Sequence, residues 1–488
     1  MNLTEYFFKD KKESGKVFVL SENGNYTYRE TYQKILKVAG LLEKFSGRKI
    51  VIFSDNSPFF IFSYFGIIAS GNVSIPVNPK IGLPELAEIL RQVNPIKIFV
   101  EEKYLEKLKN FNFKKISENA VEESNPGRIR QTNSKSPASI MYTSGSSGKA
   151  KGVIITHENI ISNTESIIEC LGLKKADRIE AVLPFFYCYG LSLLHTHARV
   201  GGSMVLNNNF AFFPATVISD LKNKKCTGFA GVPAHYEFLI KSTNFLKENF
   251  PCLRYLTQAG GKMSDQTILE ILEKSKAKLF VMYGQTEATA RLSCISSDKL
   301  AGKIGSIGKG IPGVKLLVAD PNGKRVRPGE IGEVIAKGGN IMAGYFKDKT
   351  QTRKKIINGW LRTGDLATID GDGYIFLKGR ADNIVKVGGT RVSLEEVENE
   401  IRKIPFVSEC VAIHRNNSIL GSDIFAVVTI AGGKNSPAGM SLEAEARNRL
   451  HGPKVPRKFI IVDKMPVTDS GKISRKDAQK LAEARILS

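Results

Sequence analysis

Apolar and polar positions follow two alternating patterns over the first 300 residues. Apolar, β-branched runs at 49–53, 73–77 and 96–100 predict strands, and the stretches 59–69 and 85–92 between them are typical of helices. The alternation continues in strand-like runs at 179–183, 203–206, 227–232, 253–257 and 278–282. Strands that alternate with helices predict α/β layers built on largely parallel sheets.

The pattern changes after about residue 304. Strand-like runs at 314–319 and 333–337 are joined there by turns that contain glycine and proline. Asp370-Gly371-Asp372-Gly373 separates the runs 366–369 and 374–377, and an Asp-Gly pair in this setting predicts a hairpin. We expect a small antiparallel or β-barrel-like subdomain in this part of the chain.

A third pattern begins near Gly379. Helices are expected at 394–402 and 442–450, and strands at 407–414, 424–430 and 458–462. We therefore predict two domains, a large N-terminal domain at 1–379 and a small α+β domain at 380–488.

Two further segments have distinctive compositions. The most apolar stretch, 59–70, is shorter than the roughly 20 residues that a membrane-spanning helix needs, so a buried helix is expected and no membrane span. The stretch 101–115 is rich in charge, which predicts a solvated helix.

Composition narrows the class of protein. Apolar residues make up 42% and charged residues 24% of 488, which excludes a disordered chain, a collagen and a multi-span membrane protein. The 71 Lys and Arg residues against 48 Asp and Glu leave a charge of +23, which suggests a polyanionic partner without identifying it. Six widely spaced cysteines and an N-terminus without an apolar signal core indicate reduced thiols in a cytoplasmic protein.

The segment 142–152, Tyr-Thr-Ser-Gly-Ser-Ser-Gly-Lys-Ala-Lys-Gly, follows an apolar stretch. Such a loop after a strand can direct backbone N–H groups at phosphate oxygens, with hydroxyl donors and two lysines in support. It is not a Walker A loop, because Thr143 stands where the first glycine belongs and Ala150 where Ser or Thr belongs. A flexible surface turn is the alternative interpretation.

Five further motifs follow this loop in order: Tyr283-Gly-Gln-Thr-Glu287, Trp360-Leu-Arg-Thr-Gly-Asp365, Gly379-Arg-Ala-Asp-Asn383, Lys386-Val-Gly-Gly389 and Thr468-Asp-Ser-Gly-Lys472. The ordered set closely resembles the adenylate-forming (ANL) superfamily, which includes acyl-CoA synthetases, peptide-synthetase adenylation domains and firefly-type luciferases. The resemblance covers nearly the whole chain. It implies an AMP-binding acyl-CoA synthetase or adenylation-domain-like ligase.

The family chemistry has two halves. A carboxylate attacks the α-phosphate of ATP to give acyl-AMP and pyrophosphate, and a thiol of CoA or of a carrier protein's pantetheine then displaces AMP. Because the first half brings two anions together, catalysis requires positioning and positive charge. The resemblance therefore implies ATP, Mg²⁺ and CoA as cofactors and a small-molecule carboxylic acid as substrate.

The resemblance assigns roles to individual residues. Lys472 would bridge the substrate carboxylate and the α-phosphate, Thr286 would donate to that phosphate, and Glu287 would bind Mg²⁺. Tyr283 would stack near adenine, while Asp365 and Arg380 would hold the ribose. The full set of implied cofactor contacts is Thr143, Ser144, Gly145, Ser146, Ser147, Gly148, Lys149, Lys151, Gln258, Gly260, Tyr283, Gly284, Gln285, Asp365, Arg380 and Lys386.

The C-terminal domain is mobile in this family. The resemblance implies that it rotates about Asp382 between the half-reactions, withdrawing Lys472 and bringing the 386–391 loop to the site. A simple β-turn is the alternative interpretation of that loop.

The acid pocket is the least specified part of the sequence. The resemblance places it at Tyr187, Cys188, Gly190, Gly231, Gly260 and Gly261. Adenylation domains for α-amino acids usually carry Asp at the Cys188 position, and a buried ammonium without that partner would be costly. We therefore expect an uncharged acyl or aryl tail.

Three functions remain open on sequence grounds. The first is an ATP-dependent acid–thiol ligase that makes acyl-CoA, and the second loads an acyl or amino acid onto a carrier protein in trans. The third is a nucleic-acid-binding protein on the same scaffold, supported only by the charge. Because no basic run is interleaved with aromatic residues, we expect no nucleic-acid partner. The association state is open, with a homodimer as one option.

Overall fold

The computed structural model describes residues 1–22, 24–144, 150–388, 390–417, 421–430, 441–467 and 473–486. The chain divides into two compact units, Met1–Leu316 with Ile335–Thr363 and Leu317–Val334 with Gly364–Ser488. The predicted α/β fold, with a large N-terminal part and a small C-terminal part, is confirmed. The boundary between 379 and 380 stays a prediction.

The first sheet of the large unit has seven strands among the described residues. In spatial order they are Gly344–Tyr345, Ala150–Thr156, Pro137–Ser144, Val73–Val77, Lys49–Phe53, Lys97–Val100 and Lys115–Ile116. The interior strand Lys49–Phe53 runs parallel to its neighbours on both sides. Such strands are buried on both faces, which explains their continuous apolar sequences.

A second sheet crosses the same unit. Its strands there, in spatial order, are Ser306–Gly310, Ser293–Ser296, Lys278–Tyr283, Tyr255–Gln258, Gly228–Gly231, Arg178–Ala181, Ser203–Leu206, Val17–Ser21 and Gly24–Thr27. From Lys278–Tyr283 to Val17–Ser21 the pairing is parallel throughout. Each predicted strand from 179 to 282 is confirmed, with ends that differ by at most two residues.

Helices cover the sheets of this unit, and local capping residues set many of their ends. Thr27 and Glu30 form a capping box, as do Thr156 and Asn159. The helices of the unit are Leu3–Phe8, Tyr28–Gly40, Pro58–Ala69, Leu83–Val93, Glu118–Glu122, His157–Leu171, Cys188–Val200, Ala215–Asn223, Pro233–Ser242, Asp265–Lys274, Ser297–Leu300 and Lys349–Lys355.

The two distinctive segments have different outcomes. Every residue of the helix Pro58–Ala69 is buried, as predicted. The solvated helix expected at 101–115 is wrong, because the segment forms only short 3₁₀ turns at Glu102–Tyr104 and Glu106–Leu108. Leu108 is fully buried and Phe111 and Phe113 pack against the same apolar cluster, so the chain turns inward instead of continuing as one solvated helix.

The smaller unit carries the predicted hairpin. In the strands Trp360–Ile369 and Ile375–Arg380, Asp365 to Ile369 pair antiparallel with Ile375 to Arg380 around the Asp370–Gly373 turn. The unit also holds a two-stranded sheet, a three-stranded sheet and three helices among its described residues. These are Ile384–Val387 with Thr390–Ser393, Val407–Asn417 with Gly421–Ile430 and Lys458–Ile461, and Leu394–Ile401, Leu442–Arg449 and Arg475–Ile486.

The other described strands are Val314–Ala319, Gly332–Gly338 and Ile356–Ile357.

Candidate active site

Three parallel strands of the second sheet end side by side. Gly231 pairs with Gln258, and Gln258 pairs with Val281, two residues before Tyr283. The buried Gln258 side chain donates a 2.7 Å hydrogen bond to the carbonyl of Gly261, which holds the chain beyond the strand in a tight turn. Ligands of parallel α/β sheets bind at the carboxyl ends of the strands. The candidate site therefore begins at this edge.

A strained turn follows the strand that ends at Tyr283. Thr289 has φ +66° and ψ −52°, and the amide of Ala290 donates to the carbonyl of Ala288 at 2.7 Å. These values describe a γ-turn of the rare kind, which is unusual for a β-branched residue and costs on the order of 1–3 kcal/mol. The hydroxyl of Thr289 donates to the carbonyl of Asn340 at 2.7 Å, which helps to hold the strained conformation.

Gly284 lets this turn fold back on itself. A Cβ at position 284 would overlap the carbonyl oxygen of Ala290, so a larger residue could not stand there without displacing the turn. The glycine in the Tyr-Gly-Gln-Thr-Glu motif thus has a packing reason as well as its implied nucleotide contact.

Glu287 is held by a tyrosine far away in the sequence. The hydroxyl of Tyr345 donates a 2.7 Å hydrogen bond to the Glu287 carboxylate, and the amide of Met342 donates to the Glu287 carbonyl at 2.9 Å. The ammonium of Lys151 lies 5.6 Å from the centre of the Tyr345 ring. Tyr345 therefore contacts the Glu287 carboxylate through its hydroxyl and lies near the Lys151 ammonium through its ring.

Thr286 lies against the start of the helix Cys188–Val200. The Cys188 sulfur is 3.3 Å from the Thr286 hydroxyl, and either atom can donate. Tyr187 is the residue at the N-cap of this helix. Gly190 is required by close packing, since a Cβ there would overlap the carbonyl oxygen of Pro184. The predicted catalytic residue Thr286 and the predicted acid-pocket residue Cys188 are thus in direct contact.

Small residues follow the strand that ends at Gln258. Gly260 has φ +87°, a conformation that favours glycine, and a Cβ on Gly261 would lie 3.3 Å from Pro233. Near Gly231, the ring of His235 packs edge-on against Phe210 with centroids 4.9 Å apart. Burial lowers the pKa of His235 to about 4, so the ring is neutral at pH 7.

The glycine-rich segment joins two antiparallel strands. Thr143 pairs with Lys151 and Ser144 with Ala150, and the Thr143 hydroxyl is 3.5 Å from the Lys151 carbonyl. Gly145, Ser146, Ser147, Gly148 and Lys149 lie outside the described residues. The described parts show a hairpin, so the loop connects two strands instead of a strand and a helix.

Asp365 and Arg380 lie together in the smaller unit. They face each other across the paired strands, with Arg380 Nη1 3.3 Å from Asp365 Oδ1. Lys386 is exposed on the strand Ile384–Val387, and Asp382 lies in the 3₁₀ turn Ala381–Asn383. Gly389 and Lys472 lie outside the described residues.

The chain matches two family models. The model of the AMP-binding enzyme covers residues 8–346, and that of the AMP-binding enzyme C-terminal domain covers 396–472. The chain belongs to the AMP-binding enzyme family. The predicted superfamily membership is thereby confirmed.

Curated relatives of this AMP-binding enzyme include several ligases. It is 28% identical to a feruloyl-CoA synthase of Amycolatopsis sp over 468 residues, 93% of either chain. It is 31% identical to the putative acyl-CoA synthetase YngI of Bacillus subtilis over 353 residues, 71% of this chain and 64% of the relative. The o-succinylbenzoate CoA synthetase of Bacillus subtilis, solved with an acyl-adenylate, has the same fold with a TM-score of 0.90 at 24% identity, covering 97% of this chain and 98% of the other. The expected enzyme class, an AMP-forming acid–thiol ligase, is confirmed.

The residues of this AMP-binding enzyme suit a magnesium nucleotide. The Nε2 of Gln285 is buried without a hydrogen-bond partner among the described residues, so this amide can donate to a ligand. No cluster of three metal-ligating side chains occurs in the described ranges. Mg²⁺ does not need one, because it binds through one or two carboxylates plus substrate phosphates. Glu287 would hold the ion, which would neutralise phosphate charge.

Two residues in or beside the AMP-binding enzyme's candidate site were not predicted from the sequence. Tyr345 follows Glu287 by 58 residues, and Arg291 stands in a stretch of small and apolar residues after the motif. Neither position carries a local pattern that marks it. The lone arginine between Ala290 and Leu292, within a strand-like context, is the one signal that could have drawn attention.

No helix within the described ranges is both long and apolar enough to cross a membrane.

Proposed function

We propose that this enzyme activates a small-molecule carboxylic acid as its acyl-AMP and transfers the acyl group to CoA. The observation that carries the proposal is the meeting of Thr286, Glu287 and Cys188 at the carboxyl edge of the parallel sheet. This edge presents a hydroxyl donor and a metal-binding carboxylate beside the residues predicted to hold the acid. Relatives named as CoA synthases and CoA ligases support the same reaction.

In the first half-reaction, a carboxylate oxygen of the acid forms a bond to the α-phosphorus of ATP. The bond from that phosphorus to the bridging oxygen breaks, and pyrophosphate leaves with the electron pair. Thr286 would donate to the α-phosphate, and Glu287, which accepts a hydrogen bond from Tyr345, would hold Mg²⁺. Lys472, Lys149 and Lys151 supply the positive charge that lets two anions approach each other.

In the second half-reaction, the thiolate of CoA attacks the acyl carbon and AMP leaves. The strand pair Ile384–Val387 and Thr390–Ser393 presents the exposed Lys386 at one end of a short hairpin. We assign this hairpin to the thiol half-reaction and Asp382 to the hinge. Asp365 and Arg380 are assigned to the ribose of the nucleotide.

The test is exchange of labelled pyrophosphate into ATP with Mg²⁺ and a broad panel of acids. Wild-type protein should exchange with at least one acid, and Lys472→Ala should abolish the exchange. Lys464→Ala is the matched control, because Lys464 is an exposed lysine of the same unit. Absence of exchange with every acid, or full exchange in Lys472→Ala, would refute the proposal.

The acceptor and the surroundings of the enzyme belong to the same proposal. CoA is proposed as the acceptor, and a cytoplasmic location is proposed from the predicted reduced thiols. Thioester formation should be faster with free CoA than with a pantetheinylated carrier protein. The reverse order would favour a loading enzyme that acts on a carrier protein in trans. Size-exclusion chromatography with light scattering tests the homodimer option.

A further inference from the structure

Arg291 is a buried arginine four residues beyond Glu287. Its side chain is 3% exposed, and its guanidinium carbon lies 3.7 Å from the centre of the Tyr189 ring. Nη1 donates a long, 3.4 Å hydrogen bond to the carbonyl of Ala290, and Nε is buried without a partner. The Nε donor therefore has no protein acceptor among the described residues, and the bond of Nη1 is longer than an ordinary N–H···O hydrogen bond.

No carboxylate neutralises Arg291 in the described parts of the chain. Arg254 shows the contrast, since it lies 2.6 Å from Asp177 at the other end of the strands. Burying a charge without a partner is unfavourable, and a cation over an aromatic face recovers only part of that cost. Burial lowers the pKa of Arg291, but a guanidinium remains charged in proteins. A buried cation without an anion implies that the anion comes from a ligand.

Arg291 lies beside the start of the helix that carries three of the predicted acid-pocket residues or their neighbours. Tyr189, beneath the guanidinium, is the second residue of the helix that begins at Cys188. Cys188 contacts the Thr286 hydroxyl, so the start of this helix lies beside the predicted catalytic threonine. The Tyr187 side chain makes no capping hydrogen bond at the start of this 13-residue helix, and the N-terminal end of the helix dipole is positive. Two sources of positive potential therefore meet at the predicted pocket.

We infer that Arg291, together with the N-terminus of the helix Cys188–Val200, binds a second anionic group of the acid. The substrate class is accordingly a dicarboxylic acid in which a short linker joins the two carboxylates. One carboxylate reacts beside Thr286 while the other pairs with Arg291. This inference rests on the proposed function, and it replaces the expectation of an uncharged tail with a charged one.

The test compares acids in matched pairs that differ only by the distal carboxylate. Succinate with butyrate, glutarate with valerate and phthalate with benzoate are assayed by pyrophosphate exchange. Wild-type protein should prefer the dicarboxylic member of at least one pair. In Arg291→Met the ratio of kcat/KM values for that pair should fall by about 100-fold, as expected when one partner of a buried charge pair is truncated. Arg291→Lys should retain part of the preference.

Arg353→Met is the matched control, because Arg353 is an exposed arginine of the same unit and the ratio should not change. Preference for the monocarboxylic member in all three pairs, or an unchanged ratio in Arg291→Met, would overturn the inference while leaving the proposed function intact. Absence of exchange with any acid would instead refute the function. If Arg291→Met does not fold, affinities of wild-type protein for acyl-sulfamoyl adenosines decide, and equal affinity for the succinyl and butyryl compounds overturns the inference.

Discussion

The hydrogen bond between Tyr345 and Glu287 provides a direct test of the candidate site. Tyr345→Phe removes only the hydroxyl that donates to the Glu287 carboxylate at 2.7 Å and keeps the ring near Lys151. A hydrogen bond to a charged group contributes about 1.5–3 kcal/mol, which corresponds to about 10- to 150-fold in an equilibrium or rate ratio. Because Glu287 is proposed to hold Mg²⁺, we expect kcat/KM for MgATP to decrease by about 10- to 150-fold.

The assay is pyrophosphate exchange measured over a range of Mg²⁺ concentrations. The half-saturating Mg²⁺ concentration should rise in Tyr345→Phe, because the carboxylate loses the contact that orients it. Tyr104→Phe is a matched control in the same unit, since the Tyr104 hydroxyl donates to Asp55 over the same 2.7 Å. Both variants should lose a comparable free energy of unfolding, but only Tyr345→Phe should change the Mg²⁺ dependence.

The reasoning would be refuted by either of two results. If Tyr345→Phe keeps the wild-type Mg²⁺ dependence, Glu287 does not hold the ion in the manner proposed. If Tyr104→Phe shifts the Mg²⁺ dependence as strongly, the effect comes from general destabilisation of the unit and not from the site.

Two further predictions concern buried positions. Glu180 is fully buried, and burial raises its pKa well above the usual value, so the folded protein holds a proton that the unfolded chain releases. The stabilisation from this group is present at low pH and is lost as pH rises toward the folded-state pKa. The free energy of unfolding of Glu180→Gln should therefore rise relative to that of the wild type, by up to about 1.4 kcal/mol per pH unit. The same difference between the two proteins in urea unfolding at pH 5 and at pH 8 would contradict this. Gly284→Ala should abolish pyrophosphate exchange and lower the melting temperature, because its Cβ would overlap the Ala290 carbonyl. Gly371→Ala, which has open space around it, should change neither, and wild-type activity in Gly284→Ala would show that the turn can move aside.

The sequence by itself determined many of the strands and helices and their order along the chain. Apolar, β-branched runs predicted the strands because buried parallel strands are apolar on both faces, and the Asp370–Gly373 turn predicted the hairpin between 369 and 375. The ordered motifs identified the family, because they are short segments whose spacing within each motif is local. These features depend on neighbours in the chain and can therefore be read without the fold.

Only the tertiary structure decided which distant side chains meet. Cys188 and Thr286 are 98 residues apart and Glu287 and Tyr345 are 58 apart, and no local pattern encodes either contact. Burial also depends on the tertiary structure. The charged segment at 101–115 does not form one helix because Leu108 packs into an apolar cluster, and Arg291 is buried against the ring of Tyr189. Burial and charge pairing are properties of the packed chain, which is why the cation in the acid pocket could not be inferred from the residues alone.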